Sequence, residues 1–159
     1  MSATNWSATK ARARSAGIAI GRARLSGQIE RLIRATDPCF AAGYIELVSS
    51  LELQLRAEEA ALESLNSRAL RSHQDKHAHV LAALHQSEPQ VEEGNVALGR
   101  EALALLDQWL PLQRASMDMA MLIARTPMGR RPPLEQRRSD PGRRRLRQSS
   151  QSDRDFAMF

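Results

Sequence analysis

The stretch Tyr44 to Leu65, YIELVSSLELQLRAEEAALESL, decides the fold. Leu47, Leu51, Leu55, Leu62 and Leu65 fall in line at steps of about one or two helical turns, with glutamates between them, and no β-branched run competes for an extended chain. Such a segment is an amphipathic helix, and Asn66-Ser67 ends it. A helix with an apolar stripe needs other elements to cover that stripe.

Those elements lie on either side. Upstream, Gly17 to Thr36 carries Ile18, Leu25, Ile29, Leu32 and Ile33 at mostly helical spacing and stops at Asp37-Pro38, because the residue before proline avoids the α region. Downstream, Arg68 to Gln86 holds all four histidines, three of them within Ser72 to His79, with Val80, Leu81 and Leu84 further on, and is closed by Ser87-Glu88-Pro89 and the polar run to Asn95. A fourth helix over Val96 to Ala124 places Leu98, Leu105, Trp109, Leu112 and Met119 on a stripe expected to face the core. Pro111, within it, is expected to kink or split it near Leu110. Four helices on short links pack most simply as an all-α, up-down-up-down four-helix bundle.

Composition agrees. The chain has 159 residues, enough for one domain with a real core, and its apolar content of 42% is mostly Ala and Leu, with only 4% aromatic. One cysteine, Cys39, excludes an intramolecular disulfide and a Cys-built zinc site, and points to the cytoplasm. No apolar run approaches the ~20 residues of a membrane span, and Ile18 to Ile20 is too short for a signal core.

Charge divides the chain in three. Residues 1–25 carry five bases and no acid, residues 126–159 nine arginines against four acids, and the middle is net negative by five. The organisation expected is a basic, poorly ordered arm over 1–16, the bundle over 17–125, and a disordered tail over 126–159 rich in Arg and Pro. Arg137-Arg138 and Arg143 to Arg147 have the charge to neutralise phosphates, which would give salt-sensitive, sequence-blind nucleic-acid binding. Aromatic interleaving is absent, and a solvated tail is the simpler expectation.

The histidines raise a sharper question. His73 and His77, four apart, share one helical face and would reach a common ion. In an antiparallel bundle, inward carboxylates of the second and fourth helices meet such a pair at one level, and bundle-core metal sites are built this way.

Here the chain resembles the hemerythrin-like family, four-helix bundles whose five histidines and two bridging carboxylates hold a non-haem di-iron centre that binds oxygen. The family's His-Phe-x-x-Glu-Glu-x-x-Met is matched by Gln54-Leu55-Arg56-Ala57-Glu58-Glu59-Ala60-Ala61-Leu62. His-x-x-x-His, eleven residues after that Met, is matched by His73 and His77, and Trp-Leu-x-x-His-x-x-x-x-Asp by Trp109, Leu110, Gln113 and Asp118. The resemblance covers about residues 25 to 124. It implies that Glu58 and Asp118 stand where the bridging carboxylates belong, and His73 and His77 where two ligands of one iron belong. Gln113 replaces the third histidine of that iron; Ile29 and Gln54 replace the two of the other. Isoleucine ligates nothing and an amide oxygen is a weak donor, so the second iron site is lost.

Two functions follow as expectations. The first is a metal-binding protein with Glu58, His73, His77 and Asp118 around one ion, non-haem iron or another divalent metal, with dioxygen as a partner and a role in oxygen, redox or metal sensing. The alternative is a metal-free degenerate bundle acting as a protein-interaction module, in which the same four side chains form a buried polar network. No nucleophile elbow, phosphate-cradling glycine loop or Cys with a base partner is present, so no enzymatic activity is expected. Glu59, His79 and His85 are expected at the surface, Cys39 is read as inert, and Met117, Met119 and Met121 as core filler.

Overall fold

The structure, a computed structural model, describes residues 3–126, without the side chains of residues 3–8 and 11. The Arg-rich tail and the nucleic-acid reading placed on it lie outside the described residues. Four α-helices follow in order: α1 Ala3–Ile33, α2 Asp37–Ser64, α3 Leu70–Glu92 and α4 Val96–Ala124. They pack as the expected up-down-up-down bundle. No helix among the described residues is long and apolar enough to cross a membrane.

Each link is built from local chemistry. Thr36 is extended (φ −70°, ψ 156°) and Pro38 falls in the first turn of α2, where its missing N–H has no helical partner to lose. Asn66 takes the left-handed conformation (φ 50°), so that Ser67 N–H can donate back to Leu62 O over 3.0 Å and close α2. Gly94 (φ 100°) does the same for α3, with Asn95 N–H donating to Gln90 O over 2.8 Å. The Asn95 side chain then accepts from Leu98 N–H and caps α4. Arg100 of α4 ties the first corner. It donates to Ala35 O and to the Asp37 carboxylate, and its guanidinium lies 4.8 Å over the Phe40 ring.

Four features differ from the sequence expectation, the first being that α2 begins at Asp37 rather than Tyr44. The arm over 1–16 is helical from Ala3 and continuous with α1; Arg12 to Gly17 are exposed, so alanine-rich propensity rather than burial carries this part. Ser87-Glu88-Pro89 does not close α3, because Pro89 lies on an exposed side of its last turns while Ser87 and Val91 are buried. Nor does Pro111 split α4, where it occupies an exposed position.

The stripe assigned to α4 also needs correction. Leu105, Leu112 and Met119 are 62%, 71% and 56% exposed, and the helix turns Leu103, Leu106, Leu110, Met117, Ala120 and Ala124 inward instead. The helix has two apolar stripes. The core takes the one that contains small residues, which let the backbones approach. At Gly99 a Cβ would lie 2.5 Å from Phe40 Cε1 and 2.9 Å from Val91 Cγ2. α2 packs against all three other helices, whereas α1 and α4 meet only over a short stretch.

The core falls into two apolar clusters. The larger contains Leu25 and Ile29 of α1, Phe40 to Leu55 of α2, Leu84 and Val91 of α3, and Leu103 to Leu110 of α4. The smaller contains Ile18, Ala61, Leu62, Met117 and Ala120. Along every helix the residues between the two clusters are polar: Arg22, Gln54 and Glu58, His73 and His77, Gln113. A polar layer therefore divides the interior.

Candidate functional site: a buried layer of histidine, glutamine and glutamate

His73 and His77 are 3% and 1% exposed, with ring centroids 5.9 Å apart in an edge-to-face arrangement. They face inward as their spacing and the predicted bundle require. Between them lies the amide of Gln113, itself 4% exposed. Its Nε2 is 2.5 Å from His77 Nε2 and 3.3 Å from His73 Nδ1. On the opposite edge of the His77 ring, Nδ1 lies 2.6 Å from Glu59 Oε1.

These contacts assign the protons. Nδ1–H of His77 donates to the Glu59 carboxylate, which leaves Nε2 as an acceptor, and the two hydrogens of the Gln113 amide go one to each imidazole. With Nδ1 accepting, the His73 ring is neutral. Burial, reinforced by the neighbouring His77, lowers the His73 pKa below its ordinary 6.5, and the nearby Glu58 and Glu59 charges only partly oppose this.

A pH dependence follows. His73 binds its proton more readily in the unfolded chain than in the folded one, so its contribution to stability is complete above about pH 6.5 and is lost as pH falls toward the depressed folded value. The melting temperature is expected to fall between pH 7 and pH 5. His73→Gln, which keeps hydrogen bonding without titrating, should flatten that slope; an equally steep slope in the variant would remove His73 from the account.

The acids are arranged differently from the predicted ligand set. Glu58 is 2% exposed, as expected, but its Oε1 accepts from Arg22 Nε and from Gln54 Nε2, each at 3.0 Å. Asp118 does not point inward. Its side chain is 59% exposed, and Oδ1 accepts from Arg22 Nη1 over 2.8 Å. It follows the buried Met117 by one residue, and the ~100° step turns it out of the core toward α1. Burial weakens the Arg22 charge, but Asp118 and Glu58 outweigh that and raise its pKa above the ordinary value. Arg114 completes this seam by donating to Arg22 O and Ser26 Oγ. Charged groups thus hold α1 against α4 where apolar contact is thin.

The residues present do not fit a di-iron centre. Ile29 lies in the apolar core, the Gln54 amide nitrogen is committed to Glu58 and Ile18 O, and the Asp118 carboxylate serves Arg22. Glu58 Oε2 is buried without a hydrogen-bond partner, one donor atom where a metal needs several. Among the described residues, no three His, Cys, Asp or Glu side chains are grouped so that they could hold an ion.

Sequence reasoning missed two participants. Glu59 was expected at the surface, yet its ~100° offset from Glu58 carries it toward α3 and onto His77. Arg22 had a readable signal: it falls four residues after Ile18 and three before Leu25, on the buried stripe of α1. His79 and His85 are exposed as expected, His79 on Asp75 O and His85 on Glu88. Cys39 is exposed in the first turn of α2. Of the three methionines, Met117 is fully buried, Met121 half-buried and Met119 exposed.

No family model, curated protein or solved structure matches the chain.

Proposed function

We propose that this chain is a metal-free helical bundle that works as a protein-interaction module. The observation that carries the first half is the Gln113 amide nitrogen between the two imidazoles. It supplies as many N–H donors as the pair has inward lone pairs, so the two imidazoles have partners there without a cation. The second half is supported by what the bundle leaves uncovered. The outer face of α4 carries Leu105, Leu112, Met119, Leu122 and Ile123, each half-exposed or more. Beside them a groove of about 320 Å³ between α3 and α4 is lined by Val80, Leu84, Ala102 and Trp109. Contiguous apolar surface of this kind marks an interaction site.

One observation favours the metal-binding alternative. A carboxylate on the far nitrogen of an imidazole, as Glu59 is on His77, is the usual orienting partner of a ligating histidine. A displaced Gln113 amide would open two nitrogens to an ion, non-haem iron or another divalent metal, and through it to dioxygen.

Metal analysis separates the two readings. Protein purified without a histidine tag is expected to retain under about 0.1 equivalent of iron or zinc after dialysis, while Gln113→His, with three imidazoles converging, should take up about one equivalent of Co(II) with a visible spectrum. Stoichiometric metal in the unmodified chain would overturn the proposal.

A further inference from the structure

The apolar series on the outer face of α4 runs from Leu98 to Ile123 in alternating steps of four and three residues. That is the repeat of a coiled-coil seam, continued over about 38 Å of helix. Among the described residues nothing covers its outer side. Leu105, Leu112, Met119 and Ile123 are 50% to 71% exposed, and Leu98, Ala102, Trp109 and Ser116 are half-buried at the edge facing α3.

The geometry points to a second copy of this chain, docked antiparallel along the same seam. The inference rests on the interaction-module reading and names its partner.

Two features select that occupant. The first is size. A two-fold axis crossing the helix between Leu110 and Pro111 sets Leu98 against Ile123, Ala102 against Met119, Leu105 against Ser116 and Trp109 against Leu112 of the opposite copy. Every small residue then meets a larger one. A parallel pair would stack Trp109 on Trp109 and Ala102 on Ala102, crowding one layer and leaving a void in another.

The second is area. Four open seam side chains and the flanking Leu122, at on the order of 100 Å² each, with the exposed parts of Trp109 and Leu98, approach the ~800 Å² per partner of a stable interface.

The test uses the full chain in sedimentation equilibrium from about 1 to 100 μM, a range set by ordinary homodimer affinities. The expected mass is twice 17.7 kDa. Leu105→Glu/Leu112→Glu should weaken the dimer by at least about 100-fold, since it buries four unpaired carboxylates per dimer. Its circular dichroism should be unchanged, because both positions are exposed. Leu53→Glu, at a 68% exposed position of α2 away from the seam, should leave the dimer intact.

Orientation is read with a spin label at Glu101→Cys in a Cys39→Ser background. Antiparallel docking separates the two labels by about 30 Å along the helix axis, against roughly 10–15 Å for a parallel pair. A monomer at 100 μM, leaving the face to another protein, would overturn the inference. So would a dimer insensitive to the double substitution, or a short label distance. A monomer without metal leaves the interaction-module reading standing, whereas stoichiometric metal removes that reading whatever the mass.

Discussion

Arg22→Met is expected to lower the unfolding free energy by about 3 kcal/mol, because it leaves the Glu58 carboxylate buried with no countercharge. Glu58 is 2% exposed and Oε2 already lacks a hydrogen-bond partner, so the Gln54 amide alone remains to compensate it. The exposed Asp118 loses a partner too, at little cost in water. Urea denaturation measures the change as a lower midpoint. Arg22→Met/Glu58→Met together should recover most of it, since an apolar pair of similar volume carries no desolvation penalty. If the double variant is no more stable than the single, the charge is not the cause and lost α1–α4 packing is.

The second large effect belongs to His77. Truncation to alanine removes a ring that is 1% exposed, packed edge-on against Trp109 and His73, and strands one N–H of the Gln113 amide. A cavity of that size and one unmet buried donor together cost about 3 kcal/mol. His79→Ala, two residues on and exposed, should stay within about 0.5 kcal/mol. Chelator added to the unmodified protein should leave its melting curve where it was; a chelator-induced drop matching the His77→Ala loss would show that an ion, not the amide, holds the layer.

The resemblance and the structure diverge at particular atoms. Glu58, His73 and His77 are buried at one level, where the resemblance sets them. The substitutions at Gln54 and Gln113 then decide what that level does. An amide can hydrogen-bond an imidazole or a carboxylate without any cation, and both do so here. Asp118 was unreadable from periodicity alone, since one step along a helix separates a core position from a surface one, and which face α4 turns inward is not written in any local pattern.

The same ambiguity applies to the stripe on α4. On α2 the leucine series identified the buried side correctly, because a helix surrounded by three others buries most of its large apolar residues, Leu53 excepted. On α4 two apolar stripes compete at helical spacing, and hydrophobicity cannot rank them. What ranks them is fit: Gly99 against Phe40, Ala120 and Ala124 at the other end, sites where only a small side chain lets α4 close on its neighbours.

Local chemistry was enough to determine four helices, three short links and the inward direction of the histidine pair, because spacing, capping residues and left-handed turns act within a few residues of chain. Packing alone decided which face of α4 meets the core, that Arg22 lies against Glu58, and that Glu59 holds His77. Those outcomes depend on the relative rotation of helices distant in sequence, which short-range patterns do not encode.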